Sequence, residues 1–261
     1  MDLGLGGRVA VVTGASRGIG LAAVRRLAAE GARVIAAART NSPALAELTA
    51  TGHVQFVPVD LAEPGSADRL IGAAAGHGRL DLLVNNVGAV TPRVDGFLSI
   101  TDDQWWTSLN LNLMSAVRIT RAVLPVMIAA GRGSIVNTGS VNAFLPDPDV
   151  MDYCAAKAAL ANFAKALSKQ VGPQGIRVNT VSPGPVETDL WLGPGGVAAT
   201  VADAGGTNPD DVVAAVAANT VTGRFTRPDE VANLIAFLAS DLAANITGTD
   251  VTIDGGLVTT L

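Results

Sequence analysis

The stretch Val9-Ala10-Val11-Val12-Thr13-Gly14-Ala15-Ser16-Arg17-Gly18-Ile19-Gly20 decides the fold: an unbroken apolar run ends in three spaced glycines and opens onto an Ala-rich segment. An apolar run without alternation reads as a strand buried on both faces, the condition of a parallel sheet covered by helices. Each glycine has its own physical reason. Gly14 allows the sharp turn off the strand, and Gly18 lets backbone N–H groups approach a pyrophosphate at a helix N-terminus. Gly20 permits close helix–sheet packing. Ser16, Arg17 and Ile19 lie inside this turn and join the glycines as candidate cofactor contacts. The spacing, Gly-x-x-x-Gly-x-Gly, differs from the commonest dinucleotide fingerprint and lacks the Gly-Lys-Ser/Thr ending of a nucleoside triphosphate loop. Taken alone, the glycines also fit an ordinary tight strand-to-helix turn.

Outward from this turn, short apolar runs at 9–13, 33–37, 54–59, 82–85, 134–138, 177–182 and 250–253 alternate with helical patterns. The helices are expected at 18–30, 66–75, 101–130, 151–171 and 228–240, and Pro43 and Pro228 read as first-turn prolines. The pattern predicts an α/β fold, a single Rossmann-type, doubly wound seven-stranded parallel sheet with helices on both faces, as one domain over 1–261. Segment 190–222, rich in Gly and Ala, has no readable structure and is expected to be a substrate-binding lid.

Composition narrows the function. Of 261 residues, 49% are hydrophobic and 16% charged, with net charge −5; mean hydropathy is +0.38 and the pI about 5.0. Disorder needs the reverse. A membrane span needs about 20 apolar residues, whereas no charge-free run exceeds 14, so no membrane partner is expected. An acidic chain with 4% aromatics is a poor nucleic-acid binder. MDLGLGGR has no signal-peptide pattern, giving the expectation of a cytoplasmic protein. One cysteine, Cys154, and two scattered histidines, His53 and His77, favour neither a disulfide, nor a metal site, nor a Ser–His–Asp hydrolase.

The end of the second strand bears on which dinucleotide is bound. An acidic residue there would hold the ribose 2′-OH of NAD(H); this chain has Ala38 followed by Arg39, with Arg17 in the glycine turn. Two guanidinium groups and no carboxylate suit the 2′-phosphate of NADP(H), which is expected over NAD(H). The chain's one tyrosine, Tyr153, stands four residues before Lys157, one of only three lysines. On a helix that spacing places ammonium and phenol on one face. A neighbouring cation would lower the phenol's pKa toward the range useful for acid–base work.

These motifs together resemble the short-chain dehydrogenase/reductase family, in its 3-oxoacyl-(acyl-carrier-protein) reductase-like branch. The resemblance rests on Thr13–Gly20, Asn85-Asn86-Val87-Gly88, Ser140, Tyr153-Cys154-Ala155-Ala156-Lys157, and Pro183-Gly184-Pro185-Val186-Glu187-Thr188, with Asn112 and Ile253-Asp254-Gly255-Gly256 in support. Val87 departs from the family's usual alanine. The resemblance implies that Tyr153 protonates the substrate oxygen, Ser140 orients it, Lys157 binds the nicotinamide ribose and lowers the Tyr153 pKa, and Asn112 holds a water linking Lys157 to solvent. It also implies adenine contacts at Asp60 and Leu61, a ribose contact at Asn86, a cofactor contact at Gly88, and carboxamide contacts around Pro183, Gly184, Val186 and Thr188. The expected reaction is hydride transfer between a nicotinamide and a small-molecule ketone or secondary alcohol.

Phe144, Leu145 and Val150 are expected on one wall of the substrate pocket, and Trp191, Leu192 and Val197 on the lid. Asp147, Asp149 and Asp152 read either as a screen against anions or as a solvated loop. Trp105 and Trp106 read as packing residues and Cys154 as structural. Two other readings stay open: an NAD(H)-dependent alcohol or steroid dehydrogenase, and a regulator that senses NADP(H) without turnover. Apolar residues on several faces of 101–130 and 151–171, together with the family resemblance, imply a homotetramer also using the tail 255–261.

Overall fold

The computed structural model describes residues 2–260; Leu261, part of the tail expected at a subunit interface, lies outside them. The strands are β1 (Val9–Thr13), β2 (Arg33–Ala38), β3 (Val54–Pro58), β4 (Leu82–Asn85), β5 (Gly133–Thr138), β6 (Ile176–Pro183) and β7 (Asp250–Ile253). They form one seven-stranded sheet in the order β3-β2-β1-β4-β5-β6-β7, every pair parallel. The helices are α1 (Gly18–Ala29), α2 (Pro43–Thr49), α3 (Ser66–Ala75), α4 (Asp102–Leu109), α5 (Ser115–Ala130), α6 (Met151–Val171), α7 (Asp189–Leu192), α8 (Val197–Gly205), α9 (Pro209–Ala218) and α10 (Pro228–Ala239).

The continuous apolar character of the strands has its cause in two cores. Ala10 and Val12 of β1 face a layer containing Ala23, Val24 and Leu27 of α1 and Ile235 and Leu238 of α10. Val9 and Val11 face the opposite layer, with Leu70 of α3, Ile119, Val123 and Met127 of α5, and Leu167 of α6. Each fully buried aliphatic side chain stabilises the fold by about 1.5–3 kcal/mol. The chain winds outward from β1 to β3, then returns to β4 and winds the other way. The carboxyl ends of β1 and β4 therefore meet at the switch point where ligands of such sheets bind.

Two expectations change. The helix anticipated over 101–130 is three pieces: α4 starts at a capping box between Thr101 and Gln104, Asn110–Met114 is a π-helical turn, and α5 follows. The composite stretch Asp102–Ala130 is long and apolar enough to cross a membrane by length and composition. Arg118 and Arg121 interrupt the charge-free run without making the stretch polar. In the fold, α5 lays Ile119, Val123 and Met127 against the sheet. Segment 190–222 is helical, built from α8, α9 and most of α7; α9 buries no residue and starts at Asn208, whose Oδ1 accepts from Asp210 N–H at 2.9 Å.

Candidate active site

The floor of the crevice is the β1–α1 turn. α1 begins directly after Arg17 and no side chain caps it, so its first-turn N–H groups remain available to an anion. A Cβ on Gly20 would lie 2.2 Å from the Gly14 carbonyl oxygen; only glycine lets the helix approach the turn this closely. Gly18 has φ +55°, and a Cβ there would lie 3.1 Å from the Thr188 methyl carbon, which brings the 183–188 motif over the first helix. The Ser42 hydroxyl donates to Ser16 O at 2.6 Å and accepts from Leu45 N–H at 3.2 Å, so the loop bearing Arg39 is tied to the glycine turn while it caps α2. The Ser42-Pro43 pair carries a cap signal in the sequence, but the tie to Ser16 leaves none. Arg17 and Arg39 are exposed and Ala38 is buried. An uncapped helix, a glycine floor and two exposed guanidinium groups fit a phosphorylated dinucleotide.

Neighbouring motif residues brace this floor. Asn86 donates to Thr13 O at 3.2 Å and Gly14 O at 3.3 Å, while its Oδ1 accepts from the Thr138 hydroxyl at 3.3 Å. The side chain expected to line a ribose thus laces the ends of β1, β4 and β5 together. Asp60 accepts from Ala62 N–H at 2.9 Å, Leu61 beside it is buried, and Gly184 packs against Asp254, leaving no room for a Cβ.

Tyr153 and Lys157 stand one turn apart on α6, and the Lys157 Nζ lies 5.6 Å from the centre of the Tyr153 ring. Lys157 is buried and donates to Thr138 O at 2.8 Å, a backbone partner that carries no signal in sequence. Burial lowers its pKa from 10.5 to about 8. Burial also pushes the Tyr153 phenol up to about 12, while a hydrogen bond with Ser140 works in the other direction. In the protein alone the phenol therefore moves opposite to the expected lowering, because desolvation is the largest influence and the Lys157 ammonium is directed at Thr138. Ser140 is buried, donates to Asn142 Oδ1 at 3.1 Å and accepts from Asn142 N–H at 3.2 Å.

Asn112 sits in the π-helical turn, a distortion frequent at functional sites. Its Oδ1 accepts from Ala89 N–H at 3.0 Å, and its Nδ2 donates to Ala89 O at 2.9 Å and Ser108 O at 3.0 Å. The Asn112 side chain thus grips the chain just after Gly88. A Cβ on Gly88 would lie 2.9 Å from Asn112 Oδ1 and 3.4 Å from Lys157 Nζ, so these two residues converge there.

The expected substrate residues divide. Phe144, Leu145 and Leu192 are exposed, whereas Val150 is packed away and Val197 is half-buried. Trp191 stacks edge-on against Phe225, ring centres 5.3 Å apart. Val186 bridges Thr226, and Glu187 N–H donates to Thr226 O at 2.9 Å, joining the two flanks of segment 190–222. Asp152 is neither screen nor solvated loop: it is buried in an ion pair with Arg93 at 2.6 Å. Trp106 is 69% exposed, against its expected packing role. Cys154 is buried, accepts from Asp147 N–H at 3.4 Å, and burial pushes its thiol pKa up, away from reactivity.

A model of a family described as enoyl-(acyl carrier protein) reductase matches residues 14–258. The 3-oxoacyl-(acyl-carrier-protein) reductase FabG of Escherichia coli is 36% identical over 253 residues, covering 96% of this chain and 97% of its own. The chain is a short-chain dehydrogenase/reductase. A second relative of this short-chain enzyme is a putative ketoacyl reductase of the monensin polyketide synthase from Streptomyces virginiae, 38% identical over 257 residues, 96% of this chain and 97% of that one. L-sorbose reductase from Gluconobacter frateurii, solved with NADPH and L-sorbose, superposes with a TM-score of 0.91 at 34% identity over the whole of both chains. The chain is accordingly an oxidoreductase of the short-chain type, with the Rossmann-like sheet of that family.

Proposed function

We propose that this enzyme interconverts a small-molecule ketone and its secondary alcohol with NADP(H), using Tyr153 as acid and base. The observation that carries the reading is the grouping of Tyr153, neighbouring Ser140 and buried Lys157 beside an uncapped helix flanked by Arg17 and Arg39. Arg17 and Arg39 would hold a 2′-phosphate, the first turn of α1 the pyrophosphate, and Lys157 and Thr188 the nicotinamide end. When bound, the nicotinamide supplies or accepts a hydride. In reduction, the Tyr153 hydroxyl gives its proton to the substrate oxygen as the carbonyl carbon becomes tetrahedral, and the Ser140 hydroxyl orients that oxygen. A desolvated phenol at about 12 keeps its proton near neutrality, the form a donor needs. The NADPH complex of the sorbose reductase and the ketoacyl reductase relatives support the cofactor and carbonyl class.

The test is NADPH consumption over ketoses such as L-sorbose, β-ketoesters, cyclic ketones, steroids and acyl thioesters. With the best substrate, Tyr153→Phe should lose about 10²–10⁴-fold in kcat while NADPH affinity stays within about twofold. Equal, negligible turnover by wild type and variant would favour a dinucleotide sensor. NADPH should bind more tightly than NADH, and Arg17→Gln with Arg39→Gln should abolish the preference; equal wild-type affinities would favour the NAD(H) alternative.

A further inference from the structure

Arg93 and Asp152 stand 59 residues apart in sequence and have no part in the motifs that identify the family. Arg93 lies in the connection from β4 to α4, and Asp152 immediately precedes Tyr153 in the first turn of α6. Their side chains are 12% and 3% exposed. Arg93 Nη2 donates to Asp152 Oδ2 at 2.6 Å and Nε to Oδ1 at 3.5 Å, a two-pronged contact. The Arg93 backbone N–H also donates to Asp149 O at 2.6 Å. Four residues earlier, Ala89 is gripped in both directions by Asn112. The stretch from Ala89 to Arg93, stiffened by Pro92, is therefore tied to the π-helical turn at one end and to the helix bearing Tyr153 at the other. Stability is a poor reason for such a pair, since two buried charges are often no better than two apolar side chains of similar volume. A planar guanidinium facing a carboxylate does, however, define an orientation that apolar packing leaves loose.

We propose that Arg93 and Asp152 are positioning residues that lock the β4–α4 connection to the first turn of the catalytic helix and so hold Tyr153 in register with Ser140 and the substrate carbonyl. The inference rests on the carbonyl-reductase reading above. The pair acts only through Tyr153, so its loss falls on the chemical step, where a displacement of about 1 Å is worth up to about 10²-fold. The test uses the full chain as Arg93→Leu/Asp152→Leu, Asp152→Asn and Arg93→Lys. The double variant, which leaves no unpaired charge, should lose about tenfold in kcat with carbonyl KM and NADPH Kd within about twofold. Asp152→Asn, which keeps the side-chain shape, should show the same split at about threefold, and Arg93→Lys should fall between wild type and the double variant. In the protein without dinucleotide, Asp152→Asn should speed amide exchange at 90–95 and 151–155. Wild-type kcat in either the double variant or Asp152→Asn overturns the proposal, as does NADPH affinity falling in step with kcat. A wild type that reduces no carbonyl compound overturns the functional reading instead, and amide exchange then judges the brace alone: unchanged protection sinks it.

Discussion

The two sides of the crevice are built differently. On the dinucleotide side, Asn86 and Thr138 lace three strand ends, Ser42 ties one loop to the glycine turn, and Gly20 admits a contact no other residue could make. Around segment 190–222, α9 buries no residue, Phe144 and Leu192 face solvent, and α8 buries the small side chains of Ala198 and Ala202. Its ends are held by the Val186–Thr226 bridge, the Trp191–Phe225 stack and Thr222 N–H donating to Gly255 O. The rigid side presents backbone groups to a ligand of fixed shape. The loose side presents side chains on a frame with few packing constraints, so its sequence is free to follow the substrate.

Paired glycine substitutions should break this comparison most visibly. Gly20→Ala drives a methyl carbon into the Gly14 oxygen at 2.2 Å, backbone against backbone, while Gly206 in the lid has φ +63° with nothing within 4 Å of a Cβ. Overpacking at Gly20 should destabilise by about 3 kcal/mol, lowering Tm by roughly 6–12 °C and abolishing NADPH binding. Gly206→Ala pays only the left-handed backbone cost of about 1–2 kcal/mol. Equal drops in thermal melts would mean that the two sides do not differ as described.

Lys157 gives an intermediate, pH-dependent effect. It titrates near 8 in the fold against 10.5 for the free side chain, so above pH 8 the unfolded chain binds the extra proton and stability rises with pH up to about 10.5. The raised Tyr153 phenol works in the opposite sense between about 10 and 12. Lys157→Met removes only the first effect. Its stability advantage over wild type should be largest at pH 7 and shrink by on the order of 2 kcal/mol by pH 9.5, read from paired denaturant titrations. A constant difference would show that burial does not depress the lysine. The smallest effect is expected at the lid root. Trp191→Ala, losing a stack worth about 0.5–1.5 kcal/mol, should raise carbonyl KM about three- to tenfold and leave NADPH Kd unchanged; a matching rise in Kd would join the two sides into one unit.

What was readable in the sequence follows the same division. β1, β4 and β7 match their expected residues; β1 and β4 do so because strands buried on both faces write an uninterrupted apolar run. Tyr153 and Lys157 were legible from type and spacing, and Ser140 through the family resemblance. The partners that define their environment were not: Thr138 contributes a carbonyl oxygen, which any residue has, and Arg93 reaches Asp152 across 59 residues. The lid's helices were hidden because Gly/Ala-rich segments with few large apolar residues leave little periodicity.

The π-helical turn at Asn110–Met114 has a consequence for how this protein can change length. Successive residues on an α-helix are about 100° apart, and a turn closed by i→i+5 bonds accommodates one residue more than its neighbours. Deleting a single residue there would relax the bulge into ordinary helix and leave Ile119, Val123 and Met127 toward the sheet, but it would shift Asn112 off Ala89. The segment thus behaves as a phase adjuster between a chemical face and a packing face. A one-residue deletion here should spare the packing face and cost the Asn112 grip, whereas a further inserted residue should turn the packing face from the sheet.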